Sequence, residues 1–590
     1  METMAHDDQS EVPRIAEEFW EWWMMENPEY ATYVGYHQYG LGLDSFSEER
    51  YLKRQEYCKT LLNKVDEIDP SKESRQNETT LYMLKYYLKM YIDGIQYAGY
   101  LLGLHYKEGV HRDFKERTVG RMSFTCLKDY EIYLQRLRDF PKQIQENIDF
   151  QRKGIERRIV HHPRAMAHII DDIIDRDLER PAEESEYYAP FNNIPEDIAD
   201  PHRSELKKEG LALVTSNVYG SLEKLKSFLQ ESYFPHLRQD ISISSLSGGL
   251  ERYKAQLRFH CDSDISPEEM FKLGSEELKK AQDKAKSLMD EHHFKGSYRE
   301  FLSYCQKMSG ANLSKTSEEV LDAFRSTLEN KIRPKLPKYF KNLPNQPFRL
   351  VAMPDRRPIT FAVYNAPAQD HNVPGTLYVC PHHSEIKNNA FVALTLHELE
   401  PGHHLQHSLV VLQKKLPKFR RHKDDRRYYE VPSRFPMNTA YTEGWGLYSE
   451  ELGVEMGLYD TLQELYGYYI SELYRSARVV VNVGIHALGW SESESIQFLK
   501  DNTALSDQGI HLEMDRHVTI PGQQCAYKMG HFKIRELRRK AEKELGPLFD
   551  LRDFHEACLT CGQVPLQVLE KIIDHYIEDA QNGHAKSCNS

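Results

Sequence analysis

Residues Leu394–Leu409 read LTLHELEPGHHLQHSL, and the reading of the whole chain depends on them. The run enters as an apolar helix through Phe391, Val392, Leu394 and Leu396, then delivers His397 with Glu398 directly after it. His403 and His404 follow six and seven residues beyond His397. A His-Glu pair on a helix with another histidine downstream is how zinc hydrolases bring a metal and a general base together. The usual spacing is H-E-x-x-H, because positions four apart share a helix face. Here the fifth position is Pro401, so the geometry has to arise in another way.

Proline lacks an amide proton, and its ring would collide with the carbonyl of residue 397 in a continuous helix. Gly402 then permits backbone angles that other residues avoid. These two residues predict a break after Glu400, with His403 or His404 turned back toward His397. On an unbroken helix His404 would lie about two turns from His397, awkward for one ion. The competing reading is a helix end carrying surface histidines. The chain has 27 histidines, and His-His pairs recur at 161–162, 292–293 and 382–383.

The chain of 590 residues has the composition of a globular protein, 40% hydrophobic and 28% charged. No apolar run reaches the roughly eighteen residues that would span a bilayer. The N-terminal METMAHDDQSEVPRI has neither a basic start nor an apolar core, so no secretory signal is expected. A net charge of −13 argues against nucleic acid as a partner. Nine scattered cysteines suit a reducing compartment, and a cytoplasmic location is the default. Cys558 and Cys561 form a lone CxxC that reads as two helical cysteines, and the sequons at Asn77 and Asn312 carry no weight without export.

The chain up to about residue 340 is helical in texture. Residues 13–35 form an amphipathic stretch loaded with Trp20, Trp22 and Trp23 and ended by Asn27-Pro28. Periodic runs follow at 79–104, 127–160, 163–176 and 205–235, with a proline-punctuated connection at 180–205. Ser266-Pro267-Glu268-Glu269 and Thr316-Ser317-Glu318-Glu319 are capping boxes that start helices. From 347 the texture changes. PFRLVAMP, PITFAVYNAP and GTLYVC are short β-branched or aromatic runs bounded by Pro, Gly and Asn. They predict a small antiparallel sheet just before the His397 helix, with an edge that could hold an extended peptide along 359–366 or 375–380. No internal repeat or clean linker divides the chain, so 13–575 is read as one domain with halves at about 13–340 and 341–575.

A hydrolytic zinc needs a third protein ligand and an open position. Glu443, 46 residues after His397 at the start of a helix, is the best donor, with Glu450 and Glu451 as nearby decoys. Between the two lies KKLPKFRRHKDDRR (414–427), a solvated loop or a basic rim facing acidic substrates. Further on, Arg478 and His486 share an apolar helix, where buried charge needs a partner. In DRHVTIPGQQCAY, Arg516 and Tyr527 flank a Pro-Gly turn. A tyrosine or arginine near the metal would stabilise an oxyanion, although Tyr527 could equally be core.

Several runs together resemble the mostly bacterial family called domain of unknown function 885. They are EFWEWWMMENPEYATYVGYHQYG, HELEPGHHLQ, AYTEGWGLYSEEL, VVVNVGIHALGW, DRHVTIPGQQCAYKMGHFKIREL and DLRDFHEACLTCGQVPLQVLE, spread over about 13–575. Pro-Gly after His-Glu is that family's own pattern. Its members look like distant relatives of helical gluzincin peptidases. The likeness implies His397 with His403 or His404 as metal ligands, Glu443 as third ligand and Glu398 as base. Beside that likeness, Tyr527 with His486 or Arg516 is expected to steady the oxyanion and the substrate carboxylate, with Arg478 as a further substrate-binding candidate. Two features depart from the pattern: 426–438 looks expanded by about a dozen residues, and Asn482 stands where an acidic residue is expected.

The resulting expectation is a mainly α protein, a large helical body with a small antiparallel sheet beside a central metal-site cleft. It would bind Zn2+ or another divalent ion and hydrolyse a peptide or small amide. A metal-stabilised protein that binds peptides without cutting them, or a hydrolase of another amide or ester, are the alternatives.

Overall fold

The computed structural model describes residues 10–308, 316–353, 362–367, 374–380, 391–422 and 427–588. The sequon at Asn312 and the His382-His383 pair lie outside them. The tryptophan-rich start is helix α1 (Val12–Glu26), which buries Ile15, Phe19, Trp20 and Trp23 along one stripe, the spacing of a core-facing helix. It ends at Asn27, where Pro28 opens a new short helix, since proline is suited to a first turn and not to a helix interior. Helices α2 (Arg75–Gly94) and α3 (Leu127–Arg157) follow. Helix α4 (Pro267–Glu291) starts on its capping box: Ser266 accepts from the Glu269 amide, and the Glu269 side chain accepts from the Ser266 amide. Thr316 and Glu319 repeat the arrangement.

Three strands follow, β1 (Phe348–Ala352), β2 (Ala362–Asn365) and β3 (Gly375–Val379), in the spatial order β1-β3-β2. The expected antiparallel pairing joins β2 to β3, whereas β1 joins β3 in parallel, so β3 is central. A strand paired on both sides has no edge to offer, which removes 375–380 as a peptide-binding strand and leaves the outer strand β2.

The remaining chain is helical: α5 (Phe391–Glu398), α6 (His403–Val411), α7 (Thr439–Glu455), α8 (Leu462–Ala487), α9 (Asp507–Thr519) and α10 (Gln523–Leu545). All eight residues of α5 are buried. Helices α7 and α10 cross with backbones touching. A Cβ on Gly530 would fall 1.7 Å from the Ala440 carbonyl oxygen, and one on Gly444 would fall 2.4 Å from the Gly530 backbone. The largest hydrophobic core draws on side chains from Val12 to Ile577, so both halves of the chain contribute to it.

Three cations of the basic segment are structural. Arg420 is buried and donates to the Cys561 carbonyl at 2.6 Å, Arg427 is buried against Asp44, and Lys418 pairs with Glu17. They fasten the segment to the body, while Lys414 and Lys415 are exposed; residues 423–426 lie outside the described set. The expanded stretch likewise packs inward: Ser433 donates to the Gly94 carbonyl and accepts from the Gly99 amide, and Tyr429 donates to Asp113.

Candidate metal centre

Helix α5 stops at Glu398, two residues earlier than its sequence suggests, and the chain reverses over Leu399–Gly402. The reversal is tight. A Cβ on Gly402 would stand 1.8 Å from the His397 carbonyl oxygen, so only glycine fits. Trp445 anchors the turn by donating its indole N–H to the Pro401 carbonyl at 2.8 Å. Arg333 grips Glu400 with two hydrogen bonds of 2.6 and 3.0 Å. Helix α6 then begins with His403 facing back toward α5.

Donor atoms of His397, His403 and Glu443 consequently lie within 4.8 Å of one another, and all three side chains are buried. Glu443 Oε2 is 3.3 Å from His397 Nε2 and 3.5 Å from His403 Nε2. Two donors bound at about 2.05 Å to a tetrahedral centre are about 3.3 Å apart, so these separations fit a shared ion. The imidazoles stand nearly perpendicular, at 86° with centroids 4.8 Å apart. His403 Nδ1 is buried with no hydrogen-bond partner among the described residues.

His397 is oriented from behind. Its Nδ1 lies 2.8 Å from Glu450 Oε1, and Glu450 Oε2 accepts from Ser471 of α8 at 3.1 Å. A carboxylate on the far nitrogen of a ligating histidine fixes the ring's tautomer and direction. Glu443 and Glu450 are two turns apart on α7 and so share a face. Between them, Gly446 makes room for the imidazole: a Cβ there would fall 2.5 Å from His397 Cε1. Burial opposes a charge on His397, but hydrogen bonds to Glu443 and Glu450 prevail and raise its pKa to about 10. Burial also opposes the Glu443 carboxylate, yet the two histidines hold it well below the usual range.

The other anticipated residues divide. His404 points away: Nδ1 is 2.9 Å from the Tyr364 hydroxyl, and Nε2 is 3.1 Å from the Gln346 carbonyl. Both nitrogens are engaged with the strand region, so His403 and not His404 joins the cluster. Glu398 adjoins His397 and has no hydrogen-bond or ion-pair partner among the described residues. His486 does not reach the site. Its Nδ1 accepts from the Ile243 amide at 3.1 Å and its Nε2 donates to the His517 carbonyl at 3.0 Å. Burial drives its pKa down to about 3, so it is a neutral clamp between main-chain groups and not an oxyanion donor.

Tyr527 lies on α10 near the crossing with α7 and receives a hydrogen bond from Arg516 at 3.2 Å. Burial and Glu443 push its hydroxyl up, while Arg516, Arg475 and Arg478 outweigh them and bring it below its usual range. Arg478 is fully buried, 2.9 Å from Glu513. Asn482 is a joint between helices, with its oxygen accepting from Tyr253 and Gly522 and its nitrogen near His517 and Gln524. The carboxylate behind the His397–His403–Glu443 cluster is Glu450 instead. Glu450, a decoy in the sequence pattern, and Arg475, which no motif marks, carry faint signals: the seven-residue spacing from Glu443 and the three-residue spacing to Arg478.

Comparison with known proteins places the chain in a family. It matches the model of the bacterial proteins of unknown function called DUF885 over residues 28–573, and it belongs to that family. Among solved structures it is similar to a lipoprotein candidate from Colwellia psychrerythraea. The TM-score is 0.84 at 21% identity, covering 96% of this chain and 99% of that one. It is also similar to a lipoprotein candidate of unknown function from Shewanella oneidensis, with a TM-score of 0.66 at 15% identity, covering 96% of this chain and 100% of that one. These likenesses establish a shared fold. No curated protein matches the chain. No helix among the described residues is long and apolar enough to cross a membrane.

Proposed function

We propose that the protein is a zinc-dependent, gluzincin-like hydrolase of peptide or related amide bonds, with its site in a cleft beside the small sheet. The observation that carries this is the His397–His403–Glu443 cluster with Glu450 behind His397. Three N/O donors with a carboxylate behind one histidine match a catalytic zinc set, which keeps a position open; a structural site would close with a fourth ligand. His404 is the nearest candidate fourth ligand, and its engagement with Tyr364 and Gln346 argues against the non-catalytic binding reading. A divalent ion held there would polarise the scissile carbonyl and acidify water toward a pKa of about 7.

The chain's own groups do the rest. Glu398, next to His397 and without a partner among the described residues, takes the proton from the attacking water and returns it to the leaving amine. Tyr527, held by Arg516, donates toward the oxygen where negative charge develops. The outer strand β2 receives the substrate backbone. Free cysteines at the eight described positions favour a reducing, cytoplasmic location, which fractionation of the host cell tests.

The decisive experiment measures metal content and peptide cleavage for the wild type and Glu398→Gln. The variant is expected to keep about one equivalent of metal and to lose about 100-fold or more in kcat. Unchanged turnover would remove Glu398 as the base. Purified protein that takes up no divalent ion ends the hydrolase reading.

A further inference from the structure

Helix α8 carries Ser471, Arg475 and Arg478 at positions i, i+4 and i+7, hence on one face. Ser471 donates to Glu450, the carboxylate that holds His397. Arg475 stands one turn further along and Arg478 two, an advance of about 6 and 10 Å. Their guanidinium carbons lie 4.5 and 5.2 Å from the ring centroid of Tyr527, and that of Arg516 from α9 lies 6.0 Å away. Two helices thus direct three cations onto one tyrosine of a third, beginning one turn from the support of the metal cluster.

Direct ion pairing there is sparse. Glu513 lies 2.9 Å from Arg478 Nε and accepts from Tyr474, and among the described residues it is the one carboxylate ion-paired with any of the three guanidinium groups, while Glu443 and Glu450 act on Arg475 from further off. Arg478 is fully buried, yet neither terminal nitrogen has an acceptor among the described residues. Nε of Arg475, itself 8% exposed, and Nε of Arg516 are unbonded in the same way. The terminal nitrogens of Arg478 set it apart from a buried arginine that serves only the fold. Arg136, also fully buried, likewise leaves its Nε unbonded, but both of its terminal nitrogens donate, to Thr118, Thr32, and the Pro28 and Gly40 carbonyls. Burying guanidinium donors without acceptors is costly unless an anion completes them.

We propose that Arg475, Arg478 and Arg516 form a subsite for the terminal carboxylate of a peptide, so that the enzyme cuts from the carboxyl end. This rests on the hydrolase reading above. The planar fork of arginine matches a carboxylate with paired N–H donors, and Tyr527 forms the wall between the subsite and the cluster.

The test compares N-acetylated tripeptides ending in a free acid with the same peptides ending in an amide. Calorimetry on metal-stripped protein measures binding, and kcat and KM are measured on the metal-loaded protein. The wild type is expected to favour the acid by about tenfold or more in both, through KM, the loss expected for a charged hydrogen-bonded pair. Arg516→Gln and Arg475→Gln should each bring that ratio toward one. Arg478 is left intact because its complete burial makes its loss a folding defect. Equal binding and cleavage of acid and amide, or a preference that survives in both variants, overturns the subsite while leaving the hydrolase reading standing. Preferential acid binding that the variants abolish, with neither peptide cut, keeps the anion subsite and removes the hydrolase.

Discussion

Gly446→Ala tests the proposed metal site through space alone, since it adds one methyl and no polar atom. That Cβ would fall 2.5, 2.7 and 2.8 Å from His397 Cε1, Nε2 and Nδ1. Comfortable contacts begin at about 3.5 Å, so ring and methyl must separate by roughly 1 Å. The ring has little room to yield, being buried with Nδ1 2.8 Å from Glu450 and Nε2 3.3 Å from Glu443. Ligand bonds tolerate about 0.2 Å, so the displacement is about five times too large for a metal ligand. Metal affinity should fall by about 100-fold or more, at least the loss seen when a supporting contact of a ligand is removed, equivalent to about 2.7 kcal/mol. Overpacking costs the metal-free fold about 1–3 kcal/mol, offset by about 1 kcal/mol from alanine's better helix propensity. The assay titrates stripped protein with zinc against a chromogenic chelator, with unfolding followed in parallel. Gly220→Ala is the control, because nothing lies within 4 Å of its added Cβ, and it should leave zinc binding unchanged while stabilising by about 0.4–1 kcal/mol. If Gly446→Ala takes zinc with wild-type affinity, His397 is not a ligand and the reasoning fails.

Glu450→Gln should weaken metal binding about 10- to 100-fold by replacing the carboxylate behind His397 with a neutral amide; the same titration reads it, and an unchanged affinity would deny Glu450 that role. His486→Gln should leave turnover nearly unaltered and flatten the acid side of the stability profile. The folded protein holds His486 neutral down to about pH 3, against an ordinary histidine value of about 6.5. The unfolded state therefore binds more protons in that window, and stability falls as pH falls, by about 1.4 kcal/mol per pH unit. Chemical unfolding at pH 6.5 and 5 checks this, and an unaltered difference between wild type and variant refutes it. Backbone amides of β2 should gain hydrogen-exchange protection when a peptide inhibitor binds; no change there would remove β2 as the substrate strand.

The break at Pro401–Gly402 and the capping boxes at Ser266 and Thr316 are readable in the sequence. Each rests on local chemistry: a missing amide, a permissive backbone, a side chain reaching three residues along. Glu443 as the partner of His397 is suggested by the motif pattern and the family likeness instead, since 46 residues separate the two. Most of the helical texture is legible locally too, since periodicity records which face will be buried. The choice between His403 and His404 is not. Adjacent residues on a helix differ by about 100° in direction, and which of them meets Glu443 depends on how tightly Gly402 turns against the His397 carbonyl. The roles of Glu450, Arg475 and Asn482 were likewise decided by where whole helices cross, at contacts such as Gly444 on Gly530. The strand order that makes β3 central was decided in the same way. Residue type limits what a side chain can do, but its partners come from distant segments, and only their packing brings those segments within bonding distance.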